Sequence, residues 1–132
     1  MPAHANGTFE VKLAPQKDEG ADPSLGRMTI DKQFHGDLEG ASKGQMLTGM
    51  SDVKGSGVYV AVEKVTGTLH GRTGTFILHH TGIMTRNTPE LSVTVVPDSG
   101  TGQLTGITGK MNIIITNGKH SYEFEYTLPE SQ

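Results

Sequence analysis

Hydrophobic and polar residues alternate along most of this chain, in short segments that are separated by turn residues. In the last segment, Tyr122, Phe124 and Tyr126 alternate with polar residues. Segments with the same period of two begin at Phe9, Met28, Val58, Phe76 and Leu91. Because residues two apart point to the same face of a strand, each segment predicts a half-buried β-strand. Helical periodicity is weak throughout, so the pattern predicts an all-β fold.

Turn residues lie between these segments. Asn117-Gly118 is the strongest hairpin signal, because both residues tolerate the positive φ of a type I′ turn. Residues 52–57 and 97–100 are further turns, and the polar residues 15–23 are expected to form a mobile loop. About eight short strands with turn signals between them favour an antiparallel barrel or sandwich over alternating strands and helices.

A glycine-rich pattern, T-G-x-L-x-G-x-T-G, occurs at residues 66–74 and again at 101–109. Its glycines suit the tight corners and bulges that strands need when a sheet closes into a barrel. We expect the two copies to form equivalent corners, with Leu69 and Leu104 at similar depth in the core. The pattern lacks the form of a phosphate-binding loop and precedes strands rather than helices, so nucleotide binding is not predicted.

Length and composition limit the function classes. The chain has 132 residues, which fits one domain over residues 1–132, and its net charge of −3 argues against nucleic-acid binding. It has no cysteine, which excludes disulfides and cysteine-based metal sites. No apolar stretch has the length of a membrane span, and the first residues lack the features of a signal peptide. We therefore expect a cytoplasmic protein without a membrane partner.

Two polar residues on inward-facing positions are the main candidates for chemistry. Glu63 shares the face of Tyr59 on one predicted strand, and His80 shares the face of Phe76 on the next. Neighbouring antiparallel strands bring Glu63 and His80 within reach, either as a structural hydrogen bond or as an acid–base pair whose carboxylate orients the imidazole. The six histidines show no metal-ligand spacing, so neither a metal nor another cofactor is predicted.

The interior of an eight-stranded barrel is just wide enough to be filled by side chains or to hold one small ligand. The predicted ligand-binding residues are Tyr59, Glu63, Phe76, His80, Tyr122 and Tyr126. Three hypotheses are open: a protein that binds a small, mostly apolar ligand in the lumen, an isomerase or cyclase that uses Glu63 and His80 there, and a structural oligomer whose barrel is filled. An open apolar cavity beside a buried carboxylate would favour the first two.

Five segments carry a family resemblance: G-T-F-E-V (7–11), F-H-G-D-L-E-G (34–40), residues 62–82, residues 95–109 and Y-E-F-E-Y-T-L (122–128). They resemble an uncharacterised bacterial family, a domain of unknown function with an allene-oxide-cyclase-like barrel. The resemblance covers nearly the whole chain. It implies a closed, eight-stranded antiparallel barrel that assembles into a homo-oligomer, and it implies no established activity.

Similarity to the plant allene oxide cyclases themselves is remote, and it includes F-E-V-K near the start, F-H-G-D-L and the glycine-rich corner at 99–109. Those enzymes use a glutamate on the first strand to assist the opening of a fatty-acid epoxide. Glu10 matches that position, which makes it a third catalytic candidate beside Glu63 and His80. Lys12 and Asp31 stand where the enzymes are expected to have asparagines.

Overall fold

The computed structural model describes residues 2–16, 20 and 22–129 of the chain. Its strands are β1 (Ala3–Gln16), β2 (Leu25–Gly36), β3 (Leu38–Met50), β4 (Gly57–Leu69), β5 (Arg72–Thr85), β6 (Thr88–Val95), β7 (Thr108–Thr116) and β8 (Lys119–Thr127). Each strand pairs antiparallel with the next, and β8 pairs with β1. The predicted eight-stranded closed barrel is therefore confirmed. None of the described residues form a helix that is long and apolar enough to cross a membrane.

The alternation in the sequence sets which side chains face the lumen. On β4, Ala61, Glu63 and Val65 are buried, whereas Val60 and Val62 point outward and are exposed. Because a strand turns successive side chains to opposite faces, the inward set needs only half of the residues. This explains how a chain with 33% hydrophobic residues builds a core.

The predicted turn at Asn117-Gly118 is present in the structure, whereas the two copies of the glycine-rich pattern differ from the prediction. Asn117 and Gly118 have φ of 53° and 77°, which confirms the type I′ turn between β7 and β8. Of the loop predicted at 15–23, residues 17–19 and 21 lie outside the described residues. Leu69 and Leu104 are both fully buried, as expected.

The two copies of the repeat nevertheless have different conformations, so the prediction of equivalent corners is wrong. The first copy contains a two-residue hairpin turn, because β4 and β5 pair up to their shared end. The second copy crosses the end of the barrel between β6 and β7 and includes the short 3₁₀ helix Gly102–Leu104. The copies pack on each other: the hydroxyls of Thr75 and Thr101 lie 2.6 Å apart.

The barrel has a packed half, which we call the closed half. It lies at the end where β1 begins, β4 turns into β5 and the segment 96–107 crosses from β6 to β7. Its main buried side chains are Phe34, Leu38, Leu69, Phe76, Leu104, Ile107, Tyr122, Phe124 and Tyr126. Leu104 and Ile107 seal the end, because the crossing segment places both in the core.

The opposite half, which we call the open half, contains the ends of β1, β3, β5 and β7 and the turn at 117–118. Here the barrel wall is paired incompletely. β6 and β7 share only two registered pairs, Val93 with Met111 and Thr94 with Lys110. Among the residues that the structure describes, 112–116 of β7 therefore lack partners on β6, although they pair with β8. This gap, the β6–β7 seam, separates the hairpin tip from the wall on one side.

Candidate functional site

A cavity of about 540 Å³ occupies the open half of the barrel. Its inward-facing walls are mostly aliphatic, and they include Val11, Leu13, Ile30, Met46, Met50, Met84, Leu91, Ile113 and Ile115. Polar side chains are few: Lys32, Tyr59 and His80 lie deeper, and Thr48, Glu90 and His120 complete the polar part of the lining. A concave, mostly apolar space with a few convergent polar groups is the usual form of a small-molecule site.

A buried carboxylate lies directly behind these polar groups. Glu63 is fully buried, and its Oε1 accepts a hydrogen bond from the Ser42 hydroxyl at 2.7 Å. Its Oε2 accepts a hydrogen bond from Lys32 Nζ at 2.8 Å, and His80 Nε2 lies 2.5 Å from the same oxygen. We call Lys32, Ser42, Glu63 and His80 the buried cluster. The prediction that Glu63 and His80 face the interior side by side is confirmed.

Small residues on the intervening strands allow the cluster to form. β3 lies between β2, which carries Lys32, and β4, which carries Glu63, and it offers only Ser42 and Gly44 at these inward positions. A Cβ on Gly44 would lie 2.8 Å from the Cβ of Glu63, which is closer than side-chain atoms approach. The glycine therefore allows β3 to lie this close to Glu63 on β4.

The electrostatics of the cluster favour an ionised carboxylate. Burial by itself raises the pKa of Glu63, but the contacts with His80 and Lys32 outweigh burial and lower the pKa to about 2. His80 Nε2 approaches close to Glu63 but has no partner with hydrogen-bond geometry, so distance alone defines that contact. Lys32 Nζ also lies 5.0 Å from the centre of the Phe9 ring, a cation–π distance.

Tyr59 is held beside the cluster by a glycine on the next strand. Tyr59 pairs with Gly82 in the register of β4 and β5, and a Cβ on Gly82 would lie 2.2 Å from the tyrosine ring. The ring therefore lies over Gly82, with its centre 6.3 Å from that of the His80 ring. Burial and the charge of Glu63 raise the pKa of Tyr59, so its hydroxyl keeps its proton at neutral pH.

The structure separates the predicted ligand-binding residues into two groups. Tyr59 and His80 line the cavity, with Glu63 behind them, whereas Phe76, Tyr122 and Tyr126 belong to the core of the closed half. Their expected place in the cavity wall is therefore corrected. The Tyr122 hydroxyl accepts a hydrogen bond from the Leu38 N–H and donates to the His35 carbonyl, at 2.9 and 3.0 Å.

The other two members of the second group are also held away from the cavity. The Tyr126 hydroxyl contacts His70 Nδ1 at 2.5 Å, and the Phe76 ring stacks on Phe124 with centres 5.8 Å apart. Through these contacts the rings of Tyr126 and Phe76 pack at the closed end of the barrel.

Glu10 lies on the outer surface of the barrel, which corrects its candidacy for chemistry in the lumen. Its side chain is 77% exposed, and its carboxylate lies 3.2 Å from His35 Nε2. The neighbouring residue Phe9 is the one that points inward and is buried. Because successive residues of a strand face opposite sides, Glu10 is directed away from the cavity that Phe9 lines.

Sequence reasoning missed Lys32 and Ser42, which complete the buried cluster. A signal for Lys32 exists: it shares the strand face of Met28, Ile30 and Phe34, so it is a charge at an inward position. Such a charge needs a partner, and Glu63 is an inward carboxylate. In the described part of the chain, no three His, Asp or Glu side chains are placed to hold a metal ion.

Comparisons with known proteins place the chain among barrels whose role is not established. The sequence profile of the DUF3224 family, described as a protein of unknown function, matches residues 5–126. A solved structure from Shewanella oneidensis MR-1, a protein with unknown function from the same family, is 46% identical and superposes with a TM-score of 0.93. The match covers 99% of this chain and 100% of that one. No curated protein matches the chain at a significant level.

Proposed function

This chain belongs to the DUF3224 family, and we propose that it binds one small, mostly apolar molecule in the open half of its barrel. The cavity carries this proposal. Its volume of about 540 Å³ lies within the range of roughly 300–1,000 Å³ that is usual for ligand sites. Its rim leaves Leu13, Met50, Met84 and Leu91 about half exposed. Contiguous exposed apolar surface of this kind is typical of binding sites.

The proposal can be tested by filling the cavity. Met46 points into the cavity from β3, whereas the next residue, Leu47, is exposed on the outer face of the barrel. We expect Met46→Trp to abolish binding of the neutral apolar dye Nile red, measured by fluorescence titration. The control Leu47→Trp should bind the dye as the wild type does. Dye binding that survives Met46→Trp, or that Leu47→Trp removes instead, would place the ligand outside the lumen.

Native mass spectrometry of the purified protein tests the same proposal without a chosen probe. We expect a bound small molecule that dissociates on activation and is missing from Met46→Trp. The same spectrum reports the oligomeric state. The homo-oligomer and the cytoplasmic location expected from the sequence stay predictions. The cavity supports the binding proposal over the structural alternative with a completely filled barrel.

A second candidate function, an isomerase or cyclase that works by proton transfer, is supported by the contact between Glu63 and His80. Glu63 faces Nε2 of the imidazole, and the ring lines the cavity. In such a pair the carboxylate orients the imidazole and the other ring nitrogen, Nδ1, takes a proton from the bound molecule. Deuterium exchange at the carbon next to the carbonyl of butyrophenone, followed by NMR in D₂O, tests it. Exchange should be lost in His80→Gln while butyrophenone remains bound; equal exchange in both proteins would contradict this function.

A further inference from the structure

We propose that the molecule bound in the open half carries a neutral hydrogen-bond acceptor, a ketone or ester carbonyl, that Lys32 and Tyr59 recognise. This inference rests on the proposed binding function and names the chemistry of the ligand's polar end. It follows from which hydrogen-bonding groups at the deep end of the cavity are already used and which are left.

Donors are left over at this end of the cavity. The ammonium of Lys32 has three N–H groups, and among the residues described here its one hydrogen bond goes to Glu63. The other two N–H groups make no hydrogen bond within the described residues, and the ammonium lies near the Phe9 and Phe34 rings beside the cavity that Lys32 lines. The Tyr59 hydroxyl has no hydrogen-bond partner within the described residues, and Tyr59 lines the same cavity. A ligand oxygen that accepts from both groups would satisfy them.

The carboxylate of Glu63, by contrast, has no oxygen left for a ligand. Both oxygens of Glu63 are in contact with cluster members, Oε1 with Ser42 and Oε2 with Lys32 and His80. Glu63 is fully buried and does not belong to the cavity lining. A ligand that mainly donates, such as an amine, therefore finds no free carboxylate beside Lys32, because the other carboxylate of the lining, Glu90, is an exposed residue of β6. The arrangement selects an acceptor.

Charge balance favours a neutral acceptor over a carboxylate. The positive charge of Lys32 is already compensated by Glu63 at 2.8 Å. A ligand carboxylate would bring a second negative charge beside Glu63 into an apolar cavity, where an uncompensated ion is strongly disfavoured. A carbonyl oxygen has two lone pairs and no proton, so it can accept from Lys32 and Tyr59 together without adding charge.

A series of phenylalkyl probes of similar size tests the inference by isothermal titration calorimetry. The series is butyrophenone, butylbenzene, 1-phenyl-1-butanol, 4-phenylbutanoate and 4-phenylbutylamine. We expect the ketone to bind at least about tenfold more tightly than the hydrocarbon, because a hydrogen bond from a charged donor has about that effect. The infrared stretch of the ¹³C-labelled carbonyl should move to lower frequency on binding.

Variants identify the groups that cause the preference. Lys32→Met combined with Glu63→Gln removes both charges, so it should bind butylbenzene and lose the preference for butyrophenone. Tyr59→Phe leaves the buried pair intact and should reduce the preference in part, which keeps the test valid if the double variant does not fold. Lys64→Met, on the outward face of β4, is the matched control and should change nothing.

The possible outcomes separate this inference from the proposed function. If ketone and hydrocarbon bind equally, or if the alcohol binds as well as the ketone, the inference is wrong and the binding function stands. Tightest binding of the butanoate or the amine would show that an ionised group is recognised instead. If no member of the series binds to the wild type and Nile red does not bind either, the binding function itself is wrong.

Discussion

The closed and open halves of this barrel are built from the same strands and differ in what their inward positions carry. In the closed half aromatic rings and large aliphatic side chains fill the lumen beside inward glycines such as Gly40 and Gly67, and the segment 96–107 seals the end. In the open half, two inward positions are Gly57 and Gly82, and Ile115 at the rim is 65% exposed. One pattern of alternation thus produces a filled lumen and an open one, and the difference follows from the packed rings and the sealing segment of the closed half.

The buried cluster lies where the two halves meet. Phe34 of the closed half and Phe9 at the cavity both pack near Lys32, with ring centres 5.8 and 5.0 Å from Nζ. A charged pair is tolerated at this depth only when its partners are all in place, because an unpaired buried charge is strongly destabilising. The cluster therefore serves both halves: its contacts support the core, and two of its members, Lys32 and His80, line the cavity.

The largest effect is expected from Glu63→Gln, which tests whether the cluster supports the closed half. The change leaves Lys32 buried without a counter-charge, so the free energy of unfolding should fall by about 3–5 kcal/mol. Urea denaturation followed by circular dichroism measures it. The double variant Lys32→Met/Glu63→Gln should recover part of the loss. A loss below about 1 kcal/mol for Glu63→Gln would show that the cluster contributes little to stability.

The next largest effect is expected from truncating one aliphatic side chain in each half and comparing the losses in stability. Leu104→Ala removes a fully buried side chain from the closed half and should lower the free energy of unfolding by about 2–4 kcal/mol. Ile115→Ala removes a largely exposed side chain at the rim of the cavity and should cost less than about 0.5 kcal/mol. Both are read from the same urea titrations. Similar losses of stability at the two sites would contradict the division into a closed and an open half.

Much of the fold follows from the sequence because alternation and turn chemistry are local. Asn117-Gly118 predicts its own hairpin, and the shared parity of Glu63 and His80 on consecutive strands predicts their contact. However, the odd or even position of a residue along its strand predicts only which face of the sheet it points to, and not its height along the barrel axis. Parity therefore predicts the inward face of Phe76 and Tyr122 correctly, but it does not predict that they lie in the closed half and away from the cavity.

The rest of the site depends on features that sequence patterns do not express. Lys32 meets Glu63 across an intervening strand, on which Gly44 lies close against Glu63. The β6–β7 seam depends on how far two strands stay paired, which the closure of the barrel decides. Alternation with the inward residue Phe9 predicts the outward direction of Glu10, whereas the family resemblance indicates only its position in the sequence.

A smaller effect is expected from acidification. The pKa of Glu63 is lowered from an ordinary value of 4.5 to about 2, so its stabilising contribution is complete above about pH 4.5 and is lost as the pH falls towards 2. Between pH 5 and pH 3, the wild type should lose about 2 kcal/mol more than Lys32→Met/Glu63→Gln, which lacks this carboxylate. Urea titrations at pH 5, 4 and 3 measure the difference. Parallel losses in the two proteins would mean that the carboxylate is not held ionised by its partners.

The smallest expected effect is the difference in stability loss between valine substitutions in two similar hairpin turns, one in each half. Gly118 in the open half and Gly71 in the closed half have φ of 77° and 80°, and neither has an atom within 4 Å of an added Cβ. Valine at either position should cost about 1 kcal/mol or more through backbone strain alone. Residues 112–116 beside Gly118 lack partners across the β6–β7 seam, whereas the Gly71 turn is held by a hydrogen bond from the His70 N–H to the Asp37 carbonyl. We therefore expect Gly118→Val to lower the free energy of unfolding less than Gly71→Val and to speed amide hydrogen exchange at residues 112–116. Equal losses without faster exchange at 112–116 would show that the hairpin tip is held as firmly as the closed end.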